Sequence, residues 1–340
     1  MLYILIFALA LVISLVLTPV VKLATLKLGI IALPNDERWH KRSIPLLGGV
    51  AIFSSFNLVV ILGLRGFPNS PTLNFQLLGL LIGGAFIFLL GLADDLKGTY
   101  PKLKVTGQII GALILVFFGL RIRVISNPYL SVPLTILGVF GMTNAFNFLD
   151  NMDGLSAGIA TICLIGFFLF FLEYGQIPLA IISLVLAGAT LGFLKCNFPS
   201  ARIFMGDCGS MFLGFIIAAL VLMGSWNHNP GLDFRVLIPI LILGVPIFDT
   251  AFVSMDRIVH GISPAHGGKD HTSHRLVSLG LRPKRAVLFL YAVSLALLLA
   301  AYAISHTTIQ IALLILGFLI AAVFLFALKL TRVEVYGKQA

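Results

Sequence analysis

Along this chain, long apolar runs alternate with short polar breaks from one end to the other. The runs fall at 2–21, 46–64, 75–93, 105–121, 130–149, 155–172, 176–194, 209–225, 236–255, 286–304 and 308–328. A helix needs about 20 consecutive apolar residues to cross a bilayer. Each run therefore predicts a transmembrane helix. The expected fold class is all-α, a polytopic membrane bundle of about 11 transmembrane helices (10–11) by this spacing. No polar break is long enough for a second folded body, so 1–340 is expected to form one integral membrane domain. The first run has no basic leader and no A-x-A cleavage site, and Lys22 follows it. It is expected to be a retained span with its N-terminus outside, not a cleaved signal.

Composition agrees. Hydrophobic residues make up 59% of the chain and charged ones 11%, with a mean hydropathy of +1.08. A water-soluble domain carries roughly 25% charged residues, which excludes that class. The net charge of +10 could suggest nucleic acid. In a membrane chain, however, such an excess reflects lysine and arginine held in cytoplasmic loops, so no nucleic-acid partner is expected. With the N-terminus outside, the inward segments are 22–45, 94–104, 150–154, 195–208, 256–285 and 329–340, and they hold 19 of the 23 Lys and Arg. Arg65, Arg121, Arg123 and Arg235 remain outside. Eleven of the 13 carboxylates gather on the same side, all but Glu173 and Asp233. The positive-inside bias does not require that. Asp94, Asp95, Asp150, Asp153, Asp207 and Asp249 fall at predicted helix ends, at the edge of a membrane interior in which a charge costs about 2.5–3.5 kcal/mol. They are expected to be paired, metal-bound or in a wet cavity. The pairs Gly79/Gly83 and Gly107/Gly111 predict close helix packing, and the phenylalanine-rich run 167–171 is expected to face lipid.

Four segments hold polar side chains in patterns that suggest chemistry. In 92–104, Asp94 and Asp95 end one run and Lys104 begins the next. Adjacent carboxylates repel, so one can take up a proton near neutrality, or the pair can bind a hard cation. A plain charged turn at Gly98 and Pro101 is the alternative. In 144–154, Asn144, Asn147 and Asp150 are spaced by three and share one helical face, before Asp153-Gly154 breaks the helix. A structural network between helices is the alternative there. In 198–210, Gly206 and Gly209 admit a ligand to the backbone, and Ser210 is expected to start a helix whose N-terminus favours phosphate. Asp207 in that turn could hold a metal, or Asp207 or Ser210 could simply cap the helix. No G-x-x-x-x-G-K-S/T loop is present, which disfavours a P-loop ATPase. In 263–275, His271, His274, Arg275 and Lys269 offer donors suited to phosphate oxygens. Zinc would need more ligands than two histidines. The three cysteines form neither a disulfide framework nor C-x-x-C spacing. This inventory fits metal-assisted chemistry on a phosphorylated, partly lipidic substrate.

Taken in order, the motifs Ala93-Asp94-Asp95, Asn144-x-x-Asn147-Phe-Leu-Asp150-Asn-Met-Asp153-Gly154, Phe204-Met-Gly-Asp207-x-Gly-Ser210, Pro246-Ile-Phe-Asp249-Thr250 and Asp270-His-Thr-Ser-His-Arg275-Leu276 resemble those of the polyprenyl-phosphate N-acetylhexosamine-1-phosphate transferases. The early loop from His40 to Gly49 fits as well, and the resemblance covers nearly the whole chain. It implies transfer of a sugar-1-phosphate from a UDP-N-acetylhexosamine to a polyprenyl phosphate, with release of UMP and a requirement for Mg2+, or Mn2+ in its place. It also implies Asp207 and Asn147 as metal ligands. Asp94 and Asp95 match carboxylates that deprotonate or orient the lipid phosphate, and Lys104 matches a phosphate contact. Asp153 and Phe204 match positions at the uracil, with Asn144 and Asp150 alongside in the substrate site. His271, His274 and Arg275 match a loop that helps to choose the sugar. A one-step reaction and a covalent enzyme intermediate are both compatible with the sequence; direct attack on the β-phosphorus is favoured, because metal and Lys104 can stabilise charge without a nucleophilic side chain.

Two departures bear on the sugar. The run of adjacent histidines and an acidic residue found in relatives that transfer phospho-MurNAc-pentapeptide is absent, which argues against that substrate. Thr272 and Ser273 stand where many N-acetylglucosamine-type relatives have further histidines. N-acetylglucosamine leads, with a modified hexosamine as runner-up. The enzyme is expected in the cell membrane with its active site on the cytoplasmic face, and a homodimer is allowed. A transporter would instead place ionisable residues near mid-membrane in paired repeats. A scaffold would need neither the asparagine face nor the glycine turn.

Overall fold

The computed structural model describes residues 2–32, 43–63, 71–226, 234–263, 268–333 and 335. His40, Lys41 and Arg42 of the early loop motif lie outside the described residues. The chain divides into two compact units, one of residues 1–35 and 40–225, the other of 36–39 and 226–340.

The first unit runs α1 (Leu2–Leu28), β1 (Ile31–Ala32), β2 (Ile44–Pro45), α2 (Gly48–Gly63), α3 (Pro71–Lys97), α4 (Pro101–Phe117), α5 (Pro128–Leu149), α6 (Leu155–Glu173), α7 (Ile177–Asn197) and α8 (Gly206–Met223). The antiparallel β1–β2 pair is the one departure from an all-α reading among the described residues. Helix α8 is the hub and packs against α2, α3 and α5, while α7 packs against α1 and α6. A helix that is apolar all round belongs inside a structure, and α8 is buried over most of its length. Missing side chains let the helices meet. A Cβ at Gly209 would lie 2.6 Å from the Gly49 Cα, and one at Gly91 would lie 2.5 Å from the Asp207 carbonyl oxygen. The predicted glycine pairs serve the same purpose. Added Cβ atoms at Gly79, Gly83, Gly107 and Gly111 would all meet neighbouring side chains within 2.4–2.6 Å.

The second unit has a 3-10 turn (Phe234–Leu237), α9 (Ile238–Ile242), α10 (Gly244–Val259), α11 (Thr272–Ser278), α12 (Pro283–Ser305) and α13 (Ile309–Thr331). The predicted span 236–255 is broken here, with a bend of 69° between α9 and α10. Pro246 explains the break, because it has no N–H for the Ile242 carbonyl and its ring crowds that group.

Among the described residues, eight helices are long and apolar enough to cross a membrane, nine if the bent pair counts as one span. The predicted runs 46–64 and 105–121 correspond to α2 and α4, of 16 and 17 residues. The expectation for the phenylalanine-rich run is overturned. Phe167, Phe170 and Phe171 are buried at 1% exposure or less, not turned to lipid. Five consecutive residues encircle a helix, and α6 is covered on most sides, so only a residue such as Leu169 is left outside.

Candidate active site

Four helix ends of the first unit bring the strongest sequence candidates together. Asp94 and Asp95 lie in the last turn of α3. Gly98 then adopts a φ of +65°, a left-handed value that ends the helix at little cost. The turn folds back on Asp94, whose carboxylate accepts the Thr99 N–H at 2.6 Å and also the Thr99 hydroxyl. Pro101, with its φ already helical, starts α4. One turn on, Lys104 reaches back, its Nζ 3.1 Å from an Asp94 oxygen and paired with Asp207 as well. Asp207 stands in the first turn of α8. The Asn147 amide, near the end of α5, donates to an Asp207 oxygen and to the Ser210 hydroxyl, both at 2.9 Å.

The Asp94, Lys104 and Asp207 side chains keep 18%, 22% and 27% of their surface exposed. Water or a substrate can therefore reach them, yet they are enclosed enough for charge to act at higher strength than in bulk solvent. Asp95 points elsewhere. Its two oxygens accept the backbone N–H groups of Asp207 at 2.8 Å and Cys208 at 3.0 Å.

This geometry corrects the reading of the glycine turn. Ser210 does not start α8. The helix begins at Gly206, so Asp207, Cys208, Gly209 and Ser210 already belong to it. The anion at its N-terminus is the Asp95 carboxylate from α3, not a capping side chain of its own.

The asparagine face divides between two partners. Asn147 joins α8, whereas Asn144 exchanges amide hydrogen bonds of 2.9 and 3.3 Å with Gln108 of α4. Asp150 closes α5, its N–H bonded to the Asn147 carbonyl. Asp153 accepts the Ala201 N–H at 2.8 Å, fixing the loop after α7 to the turn after α5. Phe204 is half-buried in that loop and exchanges backbone bonds with Pro45 and Gly48.

Gln108 and Asn197 escaped the sequence reading. Both are buried polar residues, and Asn197 ties Gly154 to Ile203. The signal was present. Gln108 is a lone amide within an apolar helix, four residues after Lys104, and such a group needs a partner.

His271, His274 and Arg275 lie in the second unit, where they are buried. The Nδ1 of His271 is 2.8 Å from an Asp249 oxygen, and the other oxygen accepts the Thr272 N–H at 2.7 Å. Asp249 therefore sits within α10, not at a helix end. Arg257 grips Asp270 with two bonds of 2.7 and 2.8 Å. Arg275 donates to the carbonyls of Asp270 and Leu330 and to the Asp256 carboxylate, with its guanidinium over the Phe252 ring. Burial and then the adjacent His271 push the His274 imidazole down to about 4 from its ordinary 6.5.

No group of three or more His, Cys, Asp and Glu among the described residues could hold a metal. Asp207 and Asn147 offer a carboxylate and, beside the bonded amide nitrogen, an amide oxygen. That sparse oxygen set suits Mg2+, which usually keeps waters and binds one or two carboxylates together with substrate phosphates.

Residues 77–225 match the model of glycosyl transferase family 4. The chain is 35% identical, over 92% of its length and 88% of the relative's, to the probable undecaprenyl-phosphate N-acetylglucosaminyl 1-phosphate transferase of Bacillus subtilis. The chain belongs to glycosyl transferase family 4. A decaprenyl-phosphate N-acetylglucosaminephosphotransferase of Mycolicibacterium smegmatis is 33% identical over 80% of this chain and 74% of its own. The undecaprenyl-phosphate alpha-N-acetylglucosaminyl 1-phosphate transferase of Escherichia coli is 25% identical over 76% of this chain and 72% of its own. The part matched to the glycosyl transferase family 4 model contains the whole Asp94–Lys104–Asp207–Asn147 cluster, and the histidine segment lies beyond it.

Proposed function

We propose that this multi-pass membrane protein transfers N-acetylglucosamine-1-phosphate from UDP-N-acetylglucosamine to a polyprenyl phosphate such as undecaprenyl phosphate, releasing UMP. The activities for which its relatives are named support the reaction class. The observation that carries it is Lys104 held between Asp94 and Asp207, with Asn147 on the far side of Asp207. An oxygen of the lipid phosphate attacks the β-phosphorus of the UDP-sugar. The bond from that phosphorus to the bridging oxygen breaks, and UMP departs with the electron pair.

Asp94 orients the lipid phosphate and takes its proton if it arrives protonated. Lys104 places an ammonium where negative charge develops, already positioned by two carboxylates. Asp207 and Asn147 hold Mg2+, or Mn2+, which when bound supplies charge neutralisation at the diphosphate. Asp153 and Phe204 shape the uracil end, and Asn144 acts through Gln108 to keep α4 beside α5. Eleven crossings with the N-terminus outside would put this cluster on the cytoplasmic side, in keeping with 19 of 23 Lys and Arg in the inward segments.

Purified protein supplied with Mg2+, undecaprenyl phosphate and UDP-N-acetylglucosamine is expected to release UMP, and Asp207→Ala to lower kcat by about 100-fold or more. Silence with every UDP-N-acetylhexosamine, or an undiminished Asp207→Ala enzyme, would overturn the proposal.

A further inference from the structure

The two adjacent aspartates at the end of α3 differ in their surroundings. Asp94 faces the Thr99 turn and Lys104. Asp95 spends both oxygens on the Asp207 and Cys208 backbone N–H groups in the first turn of α8. Those N–H groups have no partner inside their own helix, and they carry the positive end of its dipole. A carboxylate there is a cap supplied from another helix.

The fit extends to the backbone. Gly206 adopts a φ of +76°, and a Cβ on it would lie 2.6 Å from an Asp95 oxygen. A Cβ on Gly91, one turn before Asp95, would lie 2.5 Å from the Asp207 carbonyl oxygen. The α3 and α8 backbones are thus pressed together around this carboxylate, and the residue it caps is Asp207 itself.

We infer that Asp95 is a positioning residue: its carboxylate clamps the N-terminus of α8 and so fixes the Asp207 side chain, leaving Asp94 alone of the pair to meet substrate. This inference rests on the proposed transferase reading for its kinetic consequences, but not for the clamp itself.

A graded series separates clamp from base. Asn at 95 can still accept one of the two N–H bonds, whereas Ala can accept neither. A clamp therefore predicts that the metal-free thermal midpoint in detergent falls in the order wild type, Asp95→Asn, Asp95→Ala, with Asp94→Asn near wild type. The Mg2+ concentration for half-maximal UMP release should rise roughly 10- to 100-fold, as for lost partners of metal ligands. The KM for undecaprenyl phosphate should stay unchanged, and saturating Mg2+ should restore most of the kcat of Asp95→Asn. Loss of a general base costs about 100- to 10,000-fold in kcat whichever of the two replaces it.

An Asp95→Asn protein that melts like wild type, or one whose lost kcat Mg2+ does not restore, would overturn the inference. Should Asp95→Ala not fold, Asp95→Asn carries the test alone. If wild-type protein releases no UMP while Asp95→Asn still lowers the midpoint, the transferase reading fails and the clamp stands.

Discussion

Arg275 shows how a residue's neighbours decide its role. The resemblance puts it in a substrate-selecting loop, but its guanidinium is buried against Asp256, the Asp270 and Leu330 carbonyls and the Phe252 ring. Arg275→Ala is expected to destabilise the second unit by about 3–5 kcal/mol, the usual cost of stripping one member from a buried ion pair. Arg275→Lys should recover little, since an ammonium cannot reproduce the planar fork. Thermal unfolding of the detergent-solubilised variants checks both. His274 makes a pH prediction. Its folded value, about 4, lies below the ordinary 6.5, so the neutral form is the one the fold favours. That stability is fully present above about 6.5 and is lost as pH falls towards about 4. The thermal midpoint should therefore drop more between neutral and mildly acidic pH in wild type than in His274→Gln. The residue types and their spacing were legible at this scale. Which of two neighbouring aspartates caps and which faces Lys104 was not, because both partners come from helices distant in sequence.

At the scale of elements, close approach rests on absent side chains. A Cβ at Gly209 would meet the Met205 side chain at 2.3 Å and the Gly49 Cα at 2.6 Å, whereas nothing lies within 4 Å of one at Gly138. Gly209→Ala should cost about 1–3 kcal/mol through overpacking. Gly138→Ala, in the interior of α5, should be neutral or stabilising by roughly 0.5–1 kcal/mol. Their thermal midpoints should therefore move in opposite directions. Helix positions followed from apolar run length. Two boundaries did not: α8 starts at Gly206 because Asp95 caps it there, and α10 separates from α9 at Leu243, just ahead of Pro246. The buried phenylalanines of α6 escaped the sequence for a related reason. An all-apolar helix can face lipid or protein equally well, and only its neighbours choose.

At the scale of the whole molecule, orientation is the open quantity to measure. In a Cys196→Ser background, an impermeant thiol reagent should label Arg123→Cys in intact cells and Lys102→Cys only after permeabilisation. The reverse pattern would invert the topology. The sequence by itself determined that this is a helical membrane protein with polar motifs crowded between apolar runs, because hydropathy and spacing are local properties. The order of those motifs also pointed to the family. Tertiary structure alone decided that Asp94, Lys104, Asn147 and Asp207 share one cluster, that Asp95 turns away to hold α8, and that the histidine segment has a buried ion-pair network of its own. Those are distances between helices remote along the chain, and they are set by which surfaces pack together.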